Sequence, residues 1–360
     1  MRKERGLSTV VTTVVMVLLS LVAIGVVWVV INNLLNQGTE GLGLDQFKVD
    51  LKIEKVLVDG GNLQVQVGRN AEAGSLYSID IVVSDGTDSQ TFRQENVDLE
   101  PLEKKTYNIP YDGLVKEVIV APVFRDENGK ETLGSATDSE TIKDDVMLEN
   151  HGAVAWLSLG GSLDDSIGSN DGTSVGGVDC SVDGKYGKAC KFDGVNDYLN
   201  LGNDPSVNFN SEVTLSAWIR LNHLPLNPLG NGGNRIISRN ALGGSDGYFL
   251  AAVPGPHIAF GIRGVSSDYL ESSVALEVGK WYHVVGIKSL STMSIFVNGG
   301  ELESKSVLNS NSLLPNTSPL YFGTYGSIGF FNGTIDEVVM FDRALNAGEV
   351  ASLYNFDFGQ

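Results

Sequence analysis

Cysteine and histidine are scarce in this 360-residue chain, with two and four copies. Two cysteines without a nearby histidine cannot supply a four-ligand zinc site. His151, His223, His257 and His283 are far apart, and none has the H-E-x-x-H spacing of a metalloprotease. Neither a G-x-S-x-G elbow nor a P-loop occurs. Basic residues are also in deficit: 25 Lys and Arg against 44 Asp and Glu leave a net charge of −19. A phosphate backbone would be repelled, which excludes nucleic acid as a partner.

Glycine is plentiful, at 43 residues, as in all-β proteins with many tight turns. The N-terminus carries the one long apolar run. Leu7 to Leu35 is free of charge, longer than the ~20 residues that span a bilayer and than the h-region of a secretory signal. Arg2, Lys3 and Arg5 precede it and hold that end on the cytoplasmic side. QGTEGLGLDQ then reads as a hinge.

From Phe47 the pattern changes to period two. In FKVDLKIEK, Phe47, Val49, Leu51 and Ile53 alternate with charged residues, as a half-buried strand requires. Strands of the same kind follow at NLQVQV, YSIDIVV, KKTYNI and VKEVIVAPVF, which predicts a small immunoglobulin-like β-sandwich over 47–143. The acidic, polar stretch 144–152 reads as a linker. From 153 to 357, strands at VTLSAWIR, NRIISR, GYFLAAV, HIAFGIR, WYHVVGI, MSIFVNG and TIDEVVMF predict a larger two-sheet jelly roll. One helix is expected there, in RALNAGEVASLYN, with Asn346 as N-cap and Glu349 at the capping-box position. Cys180 and Cys190, in VDCSVDGKYGKAC, flank a glycine-containing turn; a disulfide and two free thiols are the alternatives. Trp218 and Trp281 are expected to fill the inter-sheet core, and His283 to be a structural strand residue.

The motifs AWLSLGGSLDDSIGSNDG, VDGKYGKACKFDGVNDYLNLG, GKWYHVVGIKS and FNGTIDEVVMFDRALNAGEVASLY resemble, in that order, the laminin G-like, concanavalin A-like lectin domains of secreted and cell-surface proteins. The opening RKERGLSTVV resembles archaeal type IV pilins and archaellins. That resemblance implies a leader over 1–6, cut by a prepilin peptidase between Gly6 and Leu7, and a hydrophobic assembly helix over 7–36. The hinge at 37–46 follows. Cutting removes a net +2 and leaves −21. The bacterial pilin pattern has Glu where this chain has Val11.

Oxygen-rich loops suit calcium, and DDSIGSNDG is such a loop. The laminin G resemblance implies calcium near the sheet edge, with Asp165, Asn170 and Asp336 as ligands; the alternative is that they are Asx-turn residues. Glycoside hydrolases of related fold need facing carboxylates. Their clustered Glu/Asp strand motif is absent, and strand geometry puts Asp336 and Glu337 on opposite faces, so the expectation is not an enzyme. Sequons at Asn316 and Asn332 are glycan acceptors on an exported chain. Together these readings predict a mainly β, cell-surface adhesive pilin that is membrane-inserted before assembly. It packs through Leu7–Leu35 against other pilin subunits and displays a lectin-like domain to a carbohydrate or cell-surface ligand. A surface receptor with an uncleaved anchor and a secreted carbohydrate-active enzyme are the alternatives.

Overall fold

The computed structural model describes residues 49–358, except for 60–61, 72–75, 87, 112, 127, 227–232, 240–246, 264–266, 307–312 and 314–316. The leader, the apolar run, the hinge, Gly6, Leu7 and Asn316 lie outside the described residues. Among those described, no helix is long and apolar enough to cross a membrane.

The alternating stretch after Phe47 becomes β1 (Leu51–Asp59), the first of eight strands among the described residues of the sandwich. The others are β2 (Asn62–Arg69), β3 (Ser78–Ser84), β4 (Ser89–Glu95), β5 (Lys104–Pro110), β6 (Glu117–Arg125), β7 (Glu131–Leu133) and β8 (Asp138–Thr141). One sheet runs β1-β2-β5; the other runs β4-β3-β6-β7, with β8 also on β6. The expected alternation is realised: Leu63, Val65 and Val67 of β2 are fully buried and Gln64 and Gln66 are not.

Among the described residues the jelly roll has fifteen strands. Its eight-stranded sheet is built on β9 (Ala153–Leu157), β11 (Asp179–Asp183), β12 (Lys188–Asp193), β14 (Val213–Leu221), β19 (Trp281–Lys288), β20 (Thr292–Val297), β21 (Gly300–Ser306) and β23 (Asn332–Phe341). The seven-stranded sheet comprises β10 (Thr173–Val175), β13 (Tyr198–Asn200), β15 (Asn234–Arg239), β16 (Gly247–Val253), β17 (His257–Arg263), β18 (Ser267–Glu271) and β22 (Tyr321–Phe322), in the order β10-β13-β22-β15-β16-β17-β18. Side chains such as Leu215, Ile219, Leu250, Phe260, Phe322 and Ile335 fill the space between the sheets.

The stretch read as a linker is partly a helix, α1 (Asp144–Asn150), because Met147 and Leu148 have an apolar place to go and are fully buried. The second helix, α2 (Ala347–Asn355), starts as the sequence predicts: the Asn346 side chain accepts from the Glu349 amide, and Glu349 accepts from the Asn346 amide. Both helices and the tail at Phe356 and Phe358 lie between the sandwich and the outer face of the eight-stranded sheet. Val65, Leu148, Trp218, Val339, Val350 and Phe356 belong to one continuous buried cluster. Lys116, just before β6, donates to the Asp357 carbonyl at 3.0 Å and sits 4.5 Å over the Phe356 ring. The two β domains are therefore welded rather than strung on a linker.

Candidate functional site

The outer face of the seven-stranded sheet differs from that of its partner sheet. Ala251, Ala259 and Gly261 make a floor of small residues. Phe249 pairs with Gly261, which pairs in turn with Tyr269. A Cβ on Gly261 would come within 2.3 Å of the Phe249 ring, so only glycine lets that ring lie across β17. The Arg235 guanidinium stacks on Phe249 at 3.8 Å, and Tyr325 lies 5.1 Å from it on another side. Across the sheet, Tyr198 meets Tyr321 edge-on at 5.7 Å and Phe330 at 6.4 Å. Tyr198, Tyr321 and Phe330 are half-buried and Tyr269 is exposed. Tyr321, Ser238, Phe249, Gly261 and Tyr269 thus form one row across the sheet, with Ser238 of β15 between the two groups of rings. Arg235, Phe249 and Tyr325 are buried, so the accessible rings are Tyr198, Tyr321, Phe330 and Tyr269. Such an arrangement suits a flat ligand that carries both C–H and hydroxyl groups, because ring faces attract C–H dipoles and tyrosine hydroxyls supply polar handles.

The seven-stranded face was not legible in the sequence, since Arg235, Phe249 and Tyr325 come from separate strands and loops. The one signal was positional. The glycine- and asparagine-rich stretches 222–234 and 239–247 flank β15, which carries Arg235; their residues 227–232 and 240–246 lie outside the described residues.

The outer face of the eight-stranded sheet holds the residue types of catalysis, and all of them are sealed. Ser216 Oγ and His283 Nε2 are 2.8 Å apart. Both residues are about 1 % exposed, and Trp218 and Tyr354 stack over the pair. Burial holds the His283 imidazole down at about 3, so it stays neutral. No substrate reaches that hydroxyl. His283 is a structural residue, as expected. Trp218 and Trp281 are not in the inter-sheet core. Leu215, Ala217 and Ile219 of β14 point inward, so Trp218 points outward against Tyr186 and Tyr354. Trp281 packs against the same cluster, with Arg220 over its ring at 4.9 Å.

Asp336 and Glu337 do not alternate as strand geometry predicts. Glu337 has φ +45° and the register with β14 shifts there, a bulge that puts Ile335 and Val338 in the core and both carboxylates on the outer face. Desolvation pushes Asp336 up to about 7. It pushes Glu337 up to about 9, aided by the neighbouring Asp336 and opposed by the Trp156 Nε1 donor at 2.7 Å.

Asp165 and Asn170 do meet, with Asn170 Nδ2 donating to Asp165 Oδ2 at 2.9 Å. Asp165 Oδ1 accepts the Trp156 and Ile167 amides, and Oδ2 also accepts the Asn170 amide. Asp336 is held elsewhere, accepting the Lys185 and Tyr186 amides on Oδ2. Asn170 Oδ1 is the one oxygen of Asp165 and Asn170 that is buried without a hydrogen-bond partner. Calcium takes six to eight oxygens, and no cluster of three His, Cys, Asp or Glu side chains is arranged for a metal among the described residues. The three side chains as placed do not fit calcium: Asp165 and Asp336 accept backbone amides, and Asn170 donates through Nδ2.

Cys180 and Cys190 are disulfide-bonded between β11 and β12. Asn332 opens β23, half-buried opposite Asp193. It packs on Gly194, whose φ of +79° requires glycine.

Residues 193–351 match the Laminin G 3 family model, described as the concanavalin A-like lectin/glucanases superfamily. No curated protein matches the sequence. Among solved structures, domain 4 of AbnA, a GH43 extracellular arabinanase from Geobacillus stearothermophilus in complex with arabinotriose, is similar at 18 % identity and a TM-score of 0.46. The match covers 56 % of this chain and 99 % of that one. The binding domain of Paraclostridial Mosquitocidal Protein 1 is 22 % identical with a TM-score of 0.47, over 57 % of this chain and 52 % of its own. The binding domain of Botulinum neurotoxin DC, in complex with rat synaptotagmin II, is 17 % identical with a TM-score of 0.45, over 57 % and 51 %. This chain thus spans about half the length of either toxin domain.

Proposed function

We propose that the chain is a cell-surface adhesin whose jelly roll binds carbohydrate on the outer face of its seven-stranded sheet. The observation that carries this reading is the row of aromatic residues across that face, Tyr198, Tyr321 and Phe330 on one side of Ser238 and Phe249 and Tyr269 on the other, of which all but Phe249 are half-buried or exposed. A pyranose laid on the half-exposed rings places its C–H face on aromatic carbon and its hydroxyls toward Tyr198 and Tyr321. Burial of the Ser–His pair and of the twin carboxylates supports binding without hydrolysis. The N-terminal sequence supports the display mode: Gly6 ends a basic leader, and Leu7–Leu35 is apolar all round, so it needs lipid or neighbouring helices to cover it. On this reading the chain passes from the membrane into a type IV pilus-like filament, with prepilin peptidase and other pilin subunits as partners.

Two experiments test the two halves. Because the domains share a core, a glycan array needs both of them, residues 47–360; Tyr321→Ala is expected to abolish whatever binding the parent shows. Intact mass of the native protein is expected to show Leu7 as its N-terminus. Retention of Met1–Gly6 would replace the pilin with an uncleaved, membrane-anchored receptor.

A further inference from the structure

Exposed single aliphatic side chains are ordinary on soluble proteins, but here most of those on the jelly roll, all except Val175 and Leu290 among the described residues, gather at one end. Val195, Leu224, Leu226, Val274, Val278 and Ile328 are 38–78 % exposed. All six stand on loops at the end where β23 begins and β14 finishes. Register places them there: Asp193 pairs with Asn332, Leu221 with Gly333 and Arg220 with Trp281. Backbone bonds tie the loops into one rim. The Asn222 amide donates to the Asn332 carbonyl at 3.2 Å, Gly279 to Leu221 at 2.8 Å, Leu276 to Pro256 at 2.8 Å and Arg235 to Gly329 at 2.9 Å. The connection from the sandwich enters at the other end, where Ala153 pairs with Phe341.

The rim is also poor in charge, on a chain of net charge −19. Across its described segments, 193–197, 222–226, 254–256, 271–280 and 323–331, the charged side chains are five. Asp197 is buried, Glu277 is ion-paired to Lys280 at 2.7 Å, and Asp193 and Glu271 are exposed, Asp193 accepting the Val195 and Asn196 amides.

We propose that this rim enters the interfacial layer of an electrically neutral lipid bilayer. Two properties choose lipid over a protein partner. Protein interfaces draw their binding energy from Trp, Tyr and Arg, with Leu and Val under-represented, whereas these tips are only Leu, Val and Ile. Protruding tips separated by Gly, Pro, Ser and Asn also suit a soft medium that flows around each one better than a rigid partner needing a matching surface. The small number of exposed charges keeps the desolvation cost of entry low, while the exposed Asp193 and Glu271 and the acidic body disfavour anionic lipid. The rim borders the aromatic face, since the 323–331 loop carries Tyr325 and Phe330 as well as Ile328, but the proposal does not depend on the glycan reading.

The test uses the full chain, in which both cysteines are in the disulfide. Leu226→Cys then gives one thiol for an environment-sensitive fluorophore, and Leu290→Cys, 60 % exposed at the opposite end, gives the control. With phosphatidylcholine vesicles carrying brominated acyl chains, the probe at 226 is expected to be quenched and the probe at 290 not. Adding Leu224→Asp and Val278→Asp to the Leu226→Cys chain is expected to weaken that response at least tenfold. The apolar 7–36 run gives the chain its own affinity for vesicles, which is why a site-specific readout is needed. Equal quenching at both positions, or none at 226, overturns the proposal. So does a response at 226 that depends on protein concentration without vesicles, which would mark the rim as a self-association surface.

Discussion

Glu349 is where α2, the end of β23 and the end of α1 are fastened together, so its charge is the sharpest test of the welded architecture. Arg343 donates to both of its oxygens, Nη1 to Oε2 at 2.9 Å and Nη2 to Oε1 at 2.6 Å, and Arg343 Nε donates to the His151 carbonyl at 2.7 Å. The His151 ring stands 3.5 Å from Oε1. Burial alone would push the carboxyl up; the His151, Arg343 and Asn346 contacts outweigh it and hold the group at about 2. A depressed folded-state value means that the stabilisation is complete above the unfolded value of about 4.5 and is lost as pH falls through 2. The difference of roughly 2.5 units corresponds to about 3 kcal/mol at pH 7, and at 2 % exposure Glu349 has little solvent to screen it. Glu349→Gln is therefore expected to lower urea stability by about 3 kcal/mol at pH 7 and by about 2 kcal/mol at pH 3.5. A gap below 1 kcal/mol at pH 7, or one that does not narrow at pH 3.5, refutes the reasoning.

The opposite sign is expected at Glu337, whose folded value of about 9 lies above its unfolded one. Its stabilising contribution is complete below about pH 4.5 and is lost as pH rises to 9. Glu337→Gln should thus gain on the parent by about 3 kcal/mol between pH 5.5 and 7.5, measured by urea denaturation at the two pH values; a constant difference would contradict the bulged, desolvated placement. Because the oxygens of Asp165 are occupied by amides, adding EDTA is expected to leave the melting temperature unchanged. A fall of several degrees would show calcium bound through ligands beyond Asp165, Asn170 and Asp336.

Much of the architecture was legible where local chemistry decides it. The Asn346–Glu349 capping box, the Gly194 turn and the period-two strands of the sandwich are short-range features, and the sequence carries them openly. Cys180 and Cys190 were recognisable as neighbours, though only the folded chain closes the bond. What escaped depends on the surroundings. VTLSAWIRL of β14 is buried along almost its whole length because α2 and the tail cover its outer face, so alternation gave no hint of which side Trp218 takes. The bulge at Glu337 needs a positive φ at a non-glycine residue, which no residue preference announces. α1 hides in an acidic segment because two side chains, Met147 and Leu148, hold it down. The aromatic face is assembled from residues as far apart as Tyr198 and Phe330, and no local pattern links them.

The most direct test of the account is the binding of residues 47–360 and their Tyr321→Ala variant to a glycan array, read with a structural check by circular dichroism. The account predicts that the parent binds at least one glycan and that the folded variant loses it. Binding by the variant at the parental level, or no glycan bound by the parent, would contradict the assignment of the seven-stranded face as a carbohydrate site.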